Sequence, residues 1–351
     1  RGVGNTSPAA RYYPAMLDYY IGKWRRWQGK YDKCTLARLR RAWRRQPSLK
    51  HLLGYLAFRR DLGFLPSPVL TQELAGHLHN LPRHALQPVA NLLCECGMAV
   101  RVRESLGPRN LRDIATCSPL VAELAQRKGL ELDNNAAALA KLQAGQEQTR
   151  RLFTDFLERH RGSICVVGNA PGLSGAGLGE QIDAHELVVR FNRYRSAASR
   201  AVDTGRRTDV WVRAPDLRGV ESPDNPAAEW IVLSGPDIRY QLADWAPLIP
   251  HIEAGRRILT VPLLTWRALV RELHAPPSAG ILLLAWIIEL TGGTAGISVF
   301  GFQSTDSPAA VRQPYHHALP RQQPGHRHNW AGERALLSRW TAAGRVLSDA
   351  R

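Results

Sequence analysis

The chain has 351 residues, of which 44% are apolar and 22% charged, and this composition is too apolar for an intrinsically disordered protein. Its 47 Lys and Arg outnumber its 30 Asp and Glu, which gives a formal net charge of +17. An excess of this size predicts an anionic partner, and nucleic acid, an acidic membrane, a polyanionic polymer and a nucleotide-linked substrate all satisfy it. The longest apolar run, Ile281 to Ile288, is far shorter than the ~20 residues that span a bilayer.

The basic charge is concentrated between Lys23 and Arg45, where ten Lys or Arg stand against one acid, Asp32. Aromatic residues are interleaved with these cations, namely Tyr19, Tyr20, Trp24, Trp27, Tyr31 and Trp43. Apolar residues recur in this stretch at spacings of three and four, which predicts an amphipathic helix. Two interpretations stay open: a solvated basic helix face, or a contact with an anionic membrane surface or polyanionic acceptor.

The rest of the first 150 residues is predicted to be helical. Candidate helices lie at about 70–79, 84–96 and 135–160, and helix breakers lie between them at Pro82, Gly107-Pro108 and Asp133-Asn134. Few windows in this region have the alternation that is typical of strands. We therefore expect an all-α region over residues 1–150.

The pattern changes at Gly162, after which short apolar runs bounded by turn residues alternate with helix-like windows. The runs are residues 164–167, 187–191, 209–212, 230–233, 258–261 and 297–300. This alternation predicts a doubly wound, mostly parallel sheet that is covered on both faces. Because ligands of such sheets bind beyond the carboxyl ends of strands, the loops after 167, 191 and 300 are expected to carry the site.

The loop from Gly168 to Glu180 is rich in small residues, which allow a backbone to approach a phosphate closely. It contains neither the dinucleotide-binding glycine fingerprint nor a P-loop. Taken alone, it indicates only a small-molecule site.

A more specific signal comes from blocks that follow one another in order over residues 162–351. They are Cys165–Asn169, Gly177–Asp183, Leu187–Asn192, Val202–Thr208, Pro277–Gly280 with Ile297–Phe302, Tyr315–His317 and His328–Glu333. Together they resemble the large and small sialylmotifs and the two short histidine motifs of glycosyltransferase family 29, the sialyltransferases, as a bacterial-type homologue. The resemblance implies an α/β, Rossmann-like (variant GT-A) fold with a mostly parallel sheet flanked by helices, preceded here by the all-α region.

The resemblance also implies an activity. Family 29 enzymes are inverting transferases that move a sialic acid, or here a related ulosonic acid such as Kdo, from a CMP-linked donor to a saccharide hydroxyl. We therefore expect residues 151–351 to form the transferase domain, and residues 1–150 to bind a membrane, an acceptor or a partner. No cofactor, metal or nucleic acid is expected, and a role in bacterial surface polysaccharide or capsule synthesis is the simplest setting.

Site residues follow from the matching motifs. His328 is the expected general base, and Glu333, five residues later, supports it. His316 or, one residue later, His317 assists departure of the CMP phosphate, since imidazole titrates near neutral pH. Donor binding is expected from Gly168, Asn169, Asn192, Ser278, Ala279, Gly280 and Tyr315, because amides, small residues and a helix N-terminus suit nucleotide and phosphate groups.

The chain departs from the family pattern at two places. Ala279 stands where the family usually has Thr, which removes one hydroxyl. Cys165 is kept, but the second Cys of the animal enzymes is missing near Thr291, so their disulfide cannot form. The odd count of five cysteines and the lack of a signal-peptide pattern likewise lead us to expect reduced thiols and a cytoplasmic protein, at the inner membrane face.

Two other function classes stay open. Arg190 and Arg193 follow the second apolar run and could meet the 2′-phosphate of NADP in an oxidoreductase. Alternatively, the chain is a basic binding module that carries an inactive enzyme-like domain.

Overall fold

The computed structural model of the protein describes residues 8–64, 66–192, 194, 198–214, 228–237, 243–294, 296–302 and 327–348. The chain divides into two compact units. Unit 1 comprises Arg1–Gln143, Asp237–Ala246 and Arg267–Pro276. Unit 2 comprises Ala144–Pro236, Pro247–Trp266 and Pro277–Arg351.

Unit 1 is built from helices. They are α1 (Pro8–Trp27), α2 (Lys33–Arg45), α3 (Leu49–Asp61), α4 (Pro68–Gly76), α5 (Arg83–Glu95), α6 (Ala99–Ser105), α7 (Pro108–Ala115), α8 (Pro119–Arg127) and α9 (Asn134–Ala144). Local chemistry sets several of their starts. The side chains of Asp32, Ser48 and Ser118 accept hydrogen bonds from backbone N–H groups in the first turns of α2, α3 and α8.

The predicted helical elements of unit 1 differ from the observed ones in three ways. Residues 23–45 form the end of α1 and all of α2, because Gly29 turns the chain at a φ of 73° and Asp32 then caps α2. The predicted helix over 135–160 is split at Gly145 into α9 and a separate helix. Helices α6 to α8, of seven to nine residues, were not predicted.

One buried carboxylate organises the contact between α1 and α2. The guanidinium groups of Arg38, Arg41 and Arg45 lie 2.9, 3.4 and 2.8 Å from the carboxylate oxygens of Asp18, whose side chain is 4% exposed. Burial alone would raise the pKa of Asp18, but the hydrogen bonds and charges of the arginines bring it below its usual value. Three cations of the predicted anion-binding stretch therefore neutralise an internal acid.

Unit 2 contains a seven-stranded sheet. Its strands are β1 (Ile164–Val167), β2 (Leu187–Phe191), β3 (Val210–Arg213), β4 (Trp230–Leu233), β5 (Arg257–Thr260), β6 (Ile297–Phe300) and β7 (Val346–Ser348). Their order is β5-β4-β3-β2-β1-β6-β7, and every neighbouring pair is parallel. The chain thus builds outward from β1 to β5 and then returns to place β6 on the other side of β1.

Helices in this part of the chain are α10 (Gln146–Arg159), α11 (Gly179–Asp183), α12 (Ala198–Thr204), α13 (Ile249–Glu253), α14 (Leu263–Leu273), α15 (Ala279–Leu290) and α16 (Trp330–Ala342). Strands β1 to β4 are buried at every position, as expected for a sheet covered on both faces. Phe153 of α10, for example, lies with its ring centroid 5.1 Å from that of Trp230 and 5.4 Å from that of Trp286. The predicted α/β fold class, with its parallel sheet and preceding helical region, is confirmed. Within the described residues, no helix combines the length and hydropathy needed to cross a bilayer.

The outer side of β5 is covered by side chains of α10. The Gln146 amide donates to the carbonyl oxygen of Ile258 at 3.0 Å and accepts from the N–H of Thr260 at 3.2 Å. Arg150 donates to the carbonyl oxygen of Thr260 at 3.1 Å. These contacts use the backbone groups of β5 that do not bond to β4.

We predict that Gly179→Ala destabilises the protein. A Cβ at Gly179 would overlap the carbonyl oxygen of Ala201, because α11 and α12 approach there without a side chain between them. Overpacking of this kind costs on the order of 1–3 kcal/mol of unfolding free energy. Gly76→Ala is the matched control, since its Cβ would meet open space. Equal denaturation midpoints for the two variants would contradict the predicted overlap.

Candidate functional site

The return of the chain from β5 to β6 creates a point where the direction of strand order reverses, between β1 and β6. Such switch points are where ligands bind in open parallel sheets. The loops after residues 167, 191 and 300 follow β1, β2 and β6, respectively. Because β1 pairs with both other strands, the three loops lie at the same edge of the sheet, as the sequence predicted.

Hydrogen bonds hold the two loops of the switch point together. Gly168 N–H donates to the carbonyl oxygen of Phe300 at 2.7 Å, and Ala170 N–H donates to that of Gly301 at 2.9 Å. A Cβ at Gly168 would overlap the Gly301 oxygen, and Gly301 itself has a φ of 66°. Gly168, a predicted donor-binding residue, is thus buried and required for this close approach.

Phe302 connects the first loop to the N-terminus of α15. A Cβ at Gly280 would lie 2.9 Å from its Cε1, and a Cβ at Gly168 would lie 3.0 Å from its Cδ2. The same ring is edge-on to that of Phe191, with centroids 6.4 Å apart. The phenyl ring therefore fills the space that these two glycines leave open.

The two predicted asparagines link neighbouring strands. Asn169 donates from Nδ2 to the carbonyl oxygen of Phe191 at 3.1 Å. Asn192 has a φ of 51°, and its Oδ1 accepts from the N–H of Ala214 at 3.0 Å. Its backbone oxygen also accepts from Trp211 Nε1 at 2.8 Å. Both side chains lie at the expected edge of the sheet. In each, one amide atom hydrogen-bonds to the backbone of the neighbouring strand or the loop after it.

Ser278 and Glu333 join the N-terminal ends of α15 and α16. Ser278 Oγ accepts from the N–H of Ile281 at 3.3 Å and so caps α15, while the Ser278 N–H donates to Glu333 Oε1 at 2.7 Å. Burial raises the pKa of Glu333 to about 7, against the opposing effect of the hydrogen bonds from Ser278. The carboxyl group predicted to support the base therefore fastens the helix that carries Ser278, Ala279 and Gly280.

His328 lies just before α16. Its ring is edge-on to that of Trp330, with centroids 5.2 Å apart, and the next residue, Asn329, caps the helix by accepting from the Gly332 N–H at 3.0 Å. His328 is half-buried, and it is tied to the Ser278 end of α15 through the first turn of α16, which contains Glu333.

The glycine-rich loop after β1 is held by a carboxylate of the protein itself. Asp203 accepts from the N–H groups of Gly175 and Gly177 at 2.8 and 3.0 Å. Nearby, Asp183 accepts from the N–H groups of Arg206 and Arg207 at 2.7 and 2.9 Å. Two N–H groups of the loop whose small residues suit a phosphate, those of Gly175 and Gly177, thus bond to a carboxylate of the protein.

Arg190 has a structural role that counts against the NADP interpretation. It is 1% exposed, and it donates to the carbonyl oxygens of Arg207 and Thr204 at 2.9 and 2.6 Å. Burial lowers its pKa, with the neighbouring Tyr194 and Asp183 opposing this effect. A guanidinium group that is this buried is not accessible to the 2′-phosphate of a nucleotide. Arg193 lies outside the described residues.

Part of the predicted site lies outside the described residues, namely Tyr315, His316 and His317. Within the described part of the chain, no group of three or more His, Cys, Asp or Glu is arranged to hold a metal ion. All five cysteines are free thiols, and burial raises the pKa of the Cys165 thiol to about 12. Thr291, near the place of the second family cysteine, is buried and donates from Oγ1 to the carbonyl oxygen of Ile287.

Three residues of the site lie in the matching sequence blocks but were given no role there. Phe302 and Gly301 follow a buried strand as a Gly-Phe pair, and this pair was a usable signal at a ligand edge. Asp203 had no such signal, because its role depends on contacts with a loop that lies 26 and 28 residues earlier.

The sequence model of glycosyltransferase family 29 (sialyltransferase) matches residues 121–222. The resemblance to glycosyltransferase family 29 that the sequence predicted is confirmed over these residues. The match contains Gly168, Asn169 and Asn192, and it ends before Ser278 and His328. A rice protein (Oryza sativa subsp. indica), sialyltransferase-like protein 2, is 30% identical over 164 residues. These residues are 47% of this chain and 33% of the rice protein, so the chain matches about a third of that relative's length.

Two solved structures of a mammalian sialyltransferase were also matched, each with a TM-score of 0.37. One is in complex with Gal-beta-1-3GalNAc-ortho-nitrophenol and is 17% identical, covering 53% of this chain and 68% of its own. The other is 20% identical and covers 53% of this chain and 67% of its own.

We predict that Glu333→Gln changes how stability depends on pH. The folded pKa of about 7 lies above the ordinary value of 4.5, so the stability that this group contributes is fully present below pH 4.5. It is lost as the pH rises through about 7, where the buried carboxyl ionises. Gln keeps an oxygen for the Ser278 N–H and cannot ionise. The melting temperature of the variant, relative to wild type, should therefore rise between about pH 5 and about pH 8.

Exposed Glu147, whose pKa is lowered by its hydrogen bond with Arg151, provides the control. Glu147→Gln should show no relative gain at the higher pH. A Glu333→Gln curve that runs parallel to wild type at all pH values would contradict the assigned titration.

Proposed function

We propose that the protein is an inverting glycosyltransferase that moves a sialic acid, or a related ulosonic acid such as Kdo, from a CMP-linked donor to a saccharide hydroxyl. The observation that carries this proposal is the meeting of the family-matched loop after β1 with the N-terminus of α15, through Phe302, at the switch point. The family match supports the class of reaction. The geometry supports the position of the site at the switch point between β1 and β6.

The donor phosphate is assigned to the N-terminus of α15. Helix N-termini attract anions through their N–H groups and the helix dipole, and Ser278, Ala279 and Gly280 are half-exposed there. Ala279 lacks the hydroxyl that the family usually has, so the N–H groups and Ser278 carry more of the binding. Asn169 and Asn192, at the ends of β1 and β2, are assigned to the nucleoside side, together with Tyr315.

The proposed reaction is a single displacement. The acceptor hydroxyl oxygen attacks the anomeric carbon while His328 takes the hydroxyl proton, and the bond from that carbon to the phosphate oxygen breaks. The leaving CMP gains negative charge, which the α15 N-terminus and His316 or His317 stabilise. One displacement at the anomeric carbon inverts its configuration. No step requires a metal ion or cofactor.

The cellular location and the biological role are proposed from the same resemblance. A bacterial enzyme of surface polysaccharide synthesis, in the cytoplasm and at the inner face of the membrane, agrees with five free cysteines and a basic chain. Lys23–Arg45 would contribute to holding an anionic membrane. Of its arginines, exposed Arg40 and Arg44 are better suited to this than the three that bond to Asp18.

We predict that His328→Ala lowers turnover by about a hundred-fold to ten-thousand-fold, the usual effect of removing a positioned base. CMP affinity should change little, because the base contacts the acceptor hydroxyl. Transfer or donor hydrolysis, with and without EDTA, is the measurement, and exposed His84→Ala is the control. Wild-type turnover in His328→Ala would remove this mechanism. Loss of wild-type activity in EDTA would show that the reaction uses a metal.

We also predict that CMP, and neither NADP nor RNA, raises the melting temperature of the protein. Ser278→Ala should weaken CMP binding by on the order of 1–3 kcal/mol, the value of one hydrogen bond to a charged group. Ser278→Thr keeps both the hydroxyl and the helix cap, so it should bind CMP nearly as wild type does. Calorimetric titration measures both variants. Protection by NADP or by RNA alone would favour the corresponding alternative function.

A further inference from the structure

Helix α1 has two faces of unexpected character. Its buried face contains Ala15, Asp18, Tyr19 and Gly22. The opposite face carries large apolar side chains that are exposed. They are Tyr13 at 76%, Leu17 at 61%, Tyr20 at 54%, Trp24 at 58% and Trp27 at 60% exposure, and we call them the aromatic stripe. Their spacings of four, three, four and three residues place them along one side of the helix.

Tyr20 contacts the ring of Tyr19 and the ammonium group of Lys50, but every side chain of the aromatic stripe stays more than half exposed. Close packing of α1 against α2 and α3 uses the other face, where Gly22 and Gly54 let Leu39 and Tyr19 approach. From Tyr13 to Trp27 the stripe extends about 21 Å, at 1.5 Å per residue. A continuous apolar surface of this kind is characteristic of an interaction site, whereas single exposed apolar residues are not.

The charge around the aromatic stripe indicates what the partner is. Lys23 stands beside Trp24 in the helix, and Lys50 Nζ lies 3.3 Å from the hydroxyl of Tyr20 and 4.9 Å from the centre of its ring. The first 61 residues contain 15 Lys and Arg and only three acids, Asp18, Asp32 and Asp61. Each of these three carboxylates is paired with arginine. The segment that carries the stripe is therefore strongly cationic, and Lys23 and Lys50 are its cations next to the stripe.

We propose that α1 lies flat on an anionic lipid bilayer, with the aromatic stripe in the boundary between headgroups and acyl chains. Trp and Tyr prefer this boundary, where the ring is apolar and the polar atom stays hydrated. Lys23 and Lys50 then lie at the level of the lipid phosphates, which they attract. This contact shares Lys23, Trp24 and Trp27 with the segment Lys23–Arg45, and it adds apolar insertion by α1 to the attraction of the cations. It does not depend on the proposed transferase activity.

The test is sedimentation of the full chain with vesicles of phosphatidylcholine that contain about a quarter phosphatidylglycerol, at about 0.05 M and about 0.5 M NaCl. Wild type should bind at both salt concentrations, more weakly at the higher one. The triple variant Leu17→Gln, Tyr20→Gln, Trp24→Gln should bind at least tenfold more weakly. Its circular dichroism should be unchanged, because the substituted side chains are exposed. The control is Val69→Gln with Leu264→Gln, which removes two apolar side chains outside the stripe that are even more exposed, and it should bind as wild type does.

The other occupants of the stripe have distinct results. Failure of wild type to bind vesicles, or equal binding by wild type and the triple variant, would overturn the proposal. Binding that disappears completely at high salt would show attraction by cations without insertion, and would overturn it as well. A wild type that forms dimers in solution, with the triple variant monomeric and no vesicle binding, would assign the stripe to a second copy of the chain. If wild type binds an anionic polysaccharide and the triple variant does not, again without vesicle binding, the stripe would be assigned to a polymer.

Discussion

The close approach of Gly168 and Gly301 is the constraint on which the candidate site depends. Two backbone hydrogen bonds cross between the loops after β1 and β6, and neither glycine leaves room for a side chain. Because the loops are this close, Phe302 lies against both Gly168 and Gly280, and the N-terminus of α15 is held beside the first loop. Glu333 then fixes α16, and with it His328, to the start of α15. The positions of the residues proposed for donor binding and catalysis are therefore linked through the contact between Gly168 and Gly301.

Several acidic residues of this basic protein hold loops or helices in place through hydrogen bonds and ion pairs. Asp183 and Asp203 accept backbone N–H groups from segments that contain Gly205 to Arg207 and Gly175 to Gly177. Asp18 receives three arginines. Carboxylates are thus used inside the structure for positioning, while lysines and further arginines remain on the surface.

The sheet could be predicted from the sequence, because a strand buried on both faces is a short apolar run between turn residues. Six of the seven strands were predicted with bounds that differ by at most one residue, as for Val210–Arg213. Strand β7 has only three residues, too few for a pattern. The turn at Gly29 was missed because the basic and aromatic residues continue through it. Helices α6 and α7 have seven and eight residues, about two turns each, which is too short for a helical period to be recognised.

The candidate site was predictable where a residue is held by its own strand or helix. Asn169, Asn192 and Ser278 lie at the ends of elements, and these ends could be read from the sequence. Their second roles could not, since Asn169 bonds to a residue 22 positions away and Ser278 to one 55 positions away. Glu333 illustrates the limit: its motif indicated a partner of the base, whereas its bond to Ser278 and its burial follow from how two distant helices meet.

The covering of β5 by α10 has a consequence for self-association. An uncovered edge strand offers its N–H and carbonyl groups to any extended chain, and strand addition of this kind leads to aggregates and fibres. Gln146 presents one donor and one acceptor to β5, as a residue of a neighbouring strand would, and Arg150 takes up the next carbonyl. The sheet is therefore closed to growth at this edge by two side chains. A protein that collects at a surface, where its local concentration rises, gains most from such protection.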